Sequence, residues 1–179
     1  FQMTEEAAQA TYECIQKVDM FSDIKSMPFD EAMAKGLIEY IPDSVVEEFY
    51  SLVMQRPINP EVSKRSDIKI IYTPLNGTGN IPVRTILSRA GFKNVSVVKE
   101  QEMPDGHFPT CPYPNPEIRE AMKLAIEKTI ATGADMCVAT DPDCDRIGAG
   151  VRQGDTVTLI SGNDMGVLLL DYVLSLIHI

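Results

Sequence analysis

The feature that most constrains the fold is an alternation of short apolar runs with amphipathic segments in the middle of the chain. Residues 68–72 form a β-branched and aromatic run, and residues 80–90 carry apolar side chains at helical spacing. A second strand is predicted at 95–98, a second helix capped by Asn115 and ended by Gly133, and a third strand at 136–139. This order predicts an α/β fold with a parallel βαβαβ sheet covered by helices.

The flanking segments predict further elements and a division into three parts. Helices are predicted at 4–18 and 44–54 with an irregular stretch between them, a hairpin at 147–151 and 156–160, and a last helix capped by Ser161 that runs to the chain end. We expect residues 1–60 to be the end of an earlier domain and a linker, 61–155 a complete domain, and 156–179 the start of a further domain. Both ends look cut, and the sequence leaves open whether residues 175–179 are natural.

Charge and cysteine usage limit the partners. The chain of 179 residues has 26 acidic and 16 basic side chains, a net charge of −10, which repels nucleic acid and anionic membranes. Its four cysteines have no metal-ligand or disulfide spacing. The apolar run 167–179 is shorter than a membrane span of ~20 residues and contains Asp171. We therefore expect a cytoplasmic protein without nucleic-acid or membrane partners.

The segment Asp141-Pro142-Asp143-Cys144-Asp145-Arg146 carries the strongest chemical signal. Carboxylates at alternate positions after a strand can converge on one hard cation, and Mg²⁺ prefers such oxygen ligands. An EF-hand would need Gly and Glu where Arg146 and Arg152 stand, so that class is excluded. A solvated acidic turn and a phosphorylated aspartate remain open from the spacing alone.

A second segment, Thr73 to Gly79, follows the first predicted strand. Its glycines allow close backbone approach, and the start of the next helix can offer amides to an anion. Gly77-Thr78-Gly79, with Glu100 further along, also suits a dinucleotide-binding turn, although Pro82 stands where the third glycine belongs. Both this turn and the acidic segment are expected at the carboxyl ends of strands, where such sheets bind ligands.

A third segment, Pro104 to Thr110, is rich in turn residues. His107 within it is predicted to be an exposed loop residue, because the only other histidine is His178 and no histidine pair can be built.

Together, T-P-L-N-G-T-G, P-D-G-H-F-P-T with P-N-P-E, and D-P-D-C-D-R resemble the second domain of the α-D-phosphohexomutases, the phosphoglucomutase and phosphomannomutase family. The resemblance covers roughly residues 67–151, and S-G-N-D-M-G at 161–166 resembles the beginning of the family's third domain. It implies a Mg²⁺ ion held by Asp141, Asp143 and Asp145 with a phosphoserine from the first domain. It also implies that Arg146 faces that phosphoserine or the substrate phosphate.

The family's activity moves a phosphoryl group between the 1- and 6-positions of a hexose phosphate, glucose or mannose, through a bisphosphate intermediate. This chain contains no serine loop, no sugar-selecting loop and no final phosphate-binding domain, so we expect it to be inactive alone. Many members have His where Asn76 stands, and the roles of Asn76 and His107 stay open, as do the sugar and the oligomeric state. A dinucleotide-binding oxidoreductase domain and a noncatalytic acidic interaction module are the alternatives.

Overall fold

The computed structural model describes residues 2–177, and Phe1, His178 and Ile179 lie outside it. The predicted end of the last helix therefore lies partly outside the described residues. The chain divides into two compact units, Phe1–Asp43 and Ser44–Ile179, each considered by itself. The boundaries expected at 60/61 and 155/156 concern the domains of a longer protein and stay predictions.

The first unit contains two helices. Helix α1 spans Glu5–Ile15, and the Thr4 side chain accepts a hydrogen bond from the Ala7 amide at its start. Helix α2, Phe29–Ala34, lies within the stretch predicted to be irregular. Asp30 and Glu31 favour its first turn, and Gly36 follows its end with φ +66°. The breaking residues thus delimit a short helix.

The second unit begins with α3, Asp43–Met54, as predicted, and α4, Pro60–Arg65, which the sequence reading missed. Proline opens α4 at a position where a missing amide hydrogen costs nothing. An ion pair between Arg89 and Glu47 of α3 links this helix to the α/β core that follows it. The two terminal nitrogens of Arg89 each lie 2.8 Å from a Glu47 carboxylate oxygen. The same guanidinium stacks 4.7 Å from the Tyr50 ring centre.

Five strands form one mixed sheet in the order β2-β1-β3-β4-β5. They are β1 Lys69–Thr73, β2 Asn94–Val97, β3 Met136–Thr140, β4 Ile147–Gln153 and β5 Thr156–Ile160, and the helices are α5 Asn80–Arg89, α6 Lys123–Thr132 and α7 Gly162–Ile177. Strands β2, β1 and β3 are parallel, so the predicted βαβαβ core is confirmed. The predicted hairpin β4–β5 is also present, and it extends the same sheet in antiparallel pairing.

The core lies between the sheet and α6. Met122 and Ala125 are fully buried there, together with Cys137 on β3. Gly150 on β4 leaves no room for a side chain, since a β-carbon would fall 2.7 Å from Val157. Small residues on the strands thus let the helix and the hairpin pack closely.

Helix α6 is shorter than the sequence predicted. It begins at Lys123, and Asn115 instead caps a local turn by accepting a hydrogen bond from the Glu117 amide. Pro116 is buried with its carbonyl against β4, where a β-carbon on Gly148 would lie 2.2 Å from that oxygen. Packing at Pro116 therefore overrides the helix-start signal, and Ile118 stays exposed. Gly133 ends the helix in the left-handed conformation, as predicted.

The Ser161 cap is confirmed by its acceptance of a hydrogen bond from the Asp164 amide at 3.1 Å. Within residues 2–177, no helix combines the length and apolar character that crossing a membrane requires.

Candidate metal centre

The strand order places the candidate site. Strands β2 and β3 lie on opposite sides of β1, so the connection that leaves β1 and the connection that leaves β3 run in opposite directions. The carboxyl ends of β1 and β3 therefore form the switch point at which such sheets bind ligands. The turn 73–79 leaves β1 at this point, and the loop 141–146, here called the acidic loop, leaves β3. The expectation that both loops occupy the carboxyl ends of strands is met.

The acidic loop is a tight turn that gathers its carboxylates. One carboxylate oxygen from each of Asp141, Asp143 and Asp145 lies within 4.8 Å of the others. The Cys144 amide donates to the Asp141 carbonyl at 3.0 Å, and Cys144 adopts φ +65°, a conformation that is costly for a residue with a β-carbon. This strained turn thus places all three aspartate side chains on one side of the acidic loop.

Arg146 closes the loop onto Asp141. The Asp141 carboxylate, only 1% exposed, accepts one hydrogen bond from the Arg146 amide at 2.9 Å and another from Arg146 Nε at 2.8 Å. Burial acts to raise the pKa of the Asp141 carboxyl group, but the hydrogen bonds and the charge of Arg146 outweigh it, and the pKa lies below its ordinary value. Asp141 is therefore an ionised carboxylate whose position is fixed by Arg146.

For Asp145, the surrounding groups shift the carboxyl pKa in the opposite direction. Its close approach to the Asp141 carboxylate and the negative charges of Asp143 and Asp141 raise the pKa of its carboxyl group. Arg146 offsets this only in part, since its Nε lies 3.7 Å from the Asp145 carboxylate. The loop holds more negative charge than its own arginine neutralises. Three oxygen donors with excess negative charge and two exposed members fit a hard divalent cation that keeps open coordination positions.

Arg146 also keeps donors free on the solvent side. Its side chain is 52% exposed, and among residues 2–177 its two terminal nitrogens make no hydrogen bond. The arginine predicted for the phosphate contact is thus held through Nε, and about half of its side chain is exposed.

The turn 73–79 packs against the acidic loop. A β-carbon on Gly77 would lie 2.3 Å from Pro142 Cα, and one on Gly79 would lie 2.6 Å from both the Thr140 hydroxyl oxygen and the Tyr72 hydroxyl oxygen. These glycines are required because protein backbone and buried hydroxyl groups approach them, rather than a nucleotide.

The amides of this turn are also occupied. Asn76 N donates to the Gln101 carbonyl at 2.9 Å, Gly77 N to Pro74 at 2.9 Å, and Thr78 N to Pro142 at 2.8 Å. These three amides are therefore not available to an anion. The prediction concerned the amides at the start of α5, which these hydrogen bonds do not test, so it stays a prediction, as does the dinucleotide-binding alternative.

A buried polar network supports the same turn. Gln101, 1% exposed, accepts a hydrogen bond from the Thr73 hydroxyl at 2.7 Å and donates one to Thr110 at 3.1 Å. Asn76 donates to the Met103 carbonyl at 2.9 Å while its own side-chain oxygen has no partner in the described part of the chain. Asn76 therefore connects the turn to the segment after β2, a role that the sequence did not reveal.

His107 lies exposed in the loop between β2 and α6, as predicted. Its amide donates to the Asp105 carboxylate at 2.9 Å, which forms a local turn. The described structure gives its imidazole no hydrogen bond, and its role stays open.

The fold and the acidic loop define an α/β domain with a candidate metal site at its strand switch point. Comparison with known proteins makes this specific. Residues 47–154 match the model of "Phosphoglucomutase/phosphomannomutase, alpha/beta/alpha domain II". This chain belongs to the phosphoglucomutase/phosphomannomutase family.

Individual proteins of this family are similar to the chain in sequence and in structure. The chain is 33% identical to a phosphomannomutase of Mycoplasmoides pirum over 139 residues, covering 78% of this chain and 26% of that protein. It is 32% identical to a phosphoglucomutase of Staphylococcus saprophyticus over 170 residues, covering 94% of this chain and 30% of that protein. A phosphoglucomutase/phosphomannomutase family protein from Burkholderia thailandensis superposes with a TM-score of 0.52 at 28% identity, covering 62% of this chain and 23% of that one. The chain thus spans less than a third of the length of these relatives.

Proposed function

We propose that this chain supplies the magnesium-binding domain of a phosphohexomutase, which moves a phosphoryl group between the 1- and 6-positions of glucose or mannose phosphate. The observation that carries the proposal is the convergence of three carboxylates beside Arg146, whose terminal nitrogens make no hydrogen bond within residues 2–177. Family membership supports the reaction class.

Asp141, Asp143 and Asp145 are the residues that would hold the ion. Magnesium, when bound, would offset the negative charge that accumulates on a transferring phosphoryl group. Asp141 is held by Arg146, which fixes one ligand before any ion arrives. The exposed Asp143 and Asp145 leave the solvent side of the loop accessible to a phosphate group presented from elsewhere.

Arg146 would bind phosphate oxygens with its two terminal nitrogens. Its Nε remains on Asp141, so the guanidinium plane is oriented by the same carboxylate that serves the metal. In this proposal the phosphoserine and the sugar-recognising residues belong to other parts of the mutase, and the 179-residue chain alone does not interconvert hexose phosphates.

A domain exchange tests the function. Residues 47–154 replace the matching segment of the Mycoplasmoides pirum phosphomannomutase, and conversion of glucose and mannose 1-phosphates to the 6-phosphates is measured. We expect mutase activity that falls roughly a hundredfold or more in Asp143→Asn. Asp67→Asn is the matched control, because Asp67 is exposed at the opposite end of β1.

A folded chimera without activity, or equal activity of the two variants, would contradict the proposal. Robust conversion of glucose 1-phosphate by the unfused 179-residue chain would contradict the claim that the chain is inactive alone.

A further inference from the structure

Asp143 differs from the other two carboxylates in how it is held. Asp141 is fixed by two hydrogen bonds from Arg146, and Asp145 lies 3.7 Å from the same guanidinium. Within residues 2–177, the side chain of Asp143 has no hydrogen bond or ion pair, and it is exposed. The position of its carboxylate therefore depends on the backbone that carries it.

That backbone is held from the other loop. The Pro142 carbonyl and the Asp143 amide nitrogen belong to one planar peptide unit, so fixing the carbonyl fixes the orientation of the bond that leads into Asp143. Thr78 donates two hydrogen bonds to this oxygen, from its amide at 2.8 Å and from its hydroxyl at 3.1 Å. A single residue of the turn thus controls the peptide before Asp143.

The surrounding packing prevents the acidic loop from moving toward the turn. Gly77 touches the Pro142 backbone, and Gly79 faces Thr140 and Cys144, so residues 77–79 contact the loop at alternate positions. Movement away from the turn is opposed mainly by the two donors of Thr78, because the glycines offer no side chain that could hold the loop. The hydroxyl of Thr78 is exposed and is not needed to satisfy a buried group elsewhere.

We propose that Thr78 is a positioning residue for the metal: its hydroxyl holds the Pro142–Asp143 peptide so that the Asp143 carboxylate stands beside those of Asp141 and Asp145 before a divalent cation binds. This inference rests on the proposed function, since it assumes that the three carboxylates bind the cation. Removing the hydroxyl leaves the Thr78 amide in place. The expected effect is thus that of one hydrogen bond, a loss of roughly three- to tenfold in affinity.

The test is a titration of the full chain with Mn²⁺, in which electron paramagnetic resonance measures the free ion. Thr78→Val removes the hydroxyl and keeps the side-chain shape, Thr78→Ala removes it without β-branching, and Thr78→Ser restores it. Thr85→Val, within α5, is the matched control for the same chemical change away from the loop. Asp143→Asn measures Mn²⁺ binding that does not involve the loop.

We expect both Thr78→Val and Thr78→Ala to weaken the loop-specific binding roughly three- to tenfold, with Thr78→Ser and Thr85→Val close to the original chain. A residue with only a structural role would lower the metal-free unfolding temperature and leave the affinity of the folded chain unchanged. Unchanged affinity in Thr78→Val therefore overturns this inference alone. If the original chain binds Mn²⁺ no better than Asp143→Asn, the proposed metal site fails and this inference fails with it.

Discussion

Gly77 and Pro142 lie in direct backbone contact, so close that a β-carbon on Gly77 would sit 2.3 Å from Pro142 Cα and 2.4 Å from its carbonyl oxygen. This contact joins the turn after β1 to the acidic loop after β3. The geometry of the candidate metal site therefore depends on a residue that carries no functional group.

Substituting this glycine is predicted to damage both stability and metal binding. Gly77→Ala forces the Pro142 backbone to move, which we expect to cost about 1–3 kcal/mol of unfolding free energy. Gly106→Ala is the matched control, because a β-carbon there meets nothing within 4 Å. Urea unfolding of both variants checks the prediction, and equal stability of the two would refute it.

Tyr72 is predicted to ionise only at strongly alkaline pH. Burial raises the pKa of its phenol to about 12, and its hydroxyl lies 2.8 Å from that of Thr140. An absorbance titration at alkaline pH should show a late ionisation step near pH 12, and Tyr72→Phe should remove that late step. If the late step persists in the variant, its assignment to Tyr72 is wrong.

The same shift predicts a pH dependence of stability. The unfolded phenol ionises near an ordinary pKa of ~10 while the folded phenol stays protonated, so the Tyr72 contribution is fully present below that pH. It is lost as pH rises from ~10 through the folded pKa of about 12. The difference in unfolding free energy between the original chain and Tyr72→Phe should shrink over that interval. A constant difference would contradict the prediction.

Gln101 is predicted to stabilise the buried polar network that supports the turn 73–79. Gln101→Leu leaves the Thr73 and Thr110 hydroxyls without their buried partner, and we expect a loss of about 1–3 kcal/mol in unfolding free energy. Gln55→Leu, at an exposed position, should change stability far less. The comparison is made by chemical denaturation, and a small effect at Gln101 would mean that the hydroxyls find water instead.

The exposed Cys14 and the buried Cys111 and Cys137 are predicted to differ in reactivity. Burial raises the pKa of the Cys111 and Cys137 thiols, whereas Cys14 is exposed. Iodoacetamide should label Cys14 first, with Cys111 and Cys137 modified only under unfolding conditions. Mass spectrometry of the labelled peptides checks the order, and rapid labelling of Cys137 in the native chain would contradict the buried core.

The sequence predicted the α/β class and the position of both loops, because hydrophobic periodicity and glycine placement are local signals. It missed α2 and α4 and misplaced the start of α6, because short helices have too few turns to show periodicity and the packing of Pro116 against Gly148 joins distant segments. Boundaries of this kind are decided by tertiary contact.

At the site, the spacing indicated the three aspartates and the family resemblance added Arg146, but the contacts of Thr78, Tyr72 and Gln101 could not be predicted. Their partners lie between 9 and 68 positions away along the chain. Ordinary threonine, tyrosine and glutamine residues give no pattern that reveals such contacts. The role of Gly77 is ambiguous in the sequence, because a glycine at this position allows close approach of either a nucleotide or a neighbouring backbone.

The most direct test of the central claim is a Mn²⁺ titration of the isotope-labelled chain, followed by paramagnetic broadening of backbone amides in a proton–nitrogen correlation spectrum. We predict that broadening is confined to amides near 141–146 and 77–79, that excess Mg²⁺ reverses it, and that Asp143→Asn abolishes it while Asp67→Asn does not. Broadening scattered over the acidic surface, or unchanged in Asp143→Asn, would show that the acidic loop is not a preformed divalent-cation site.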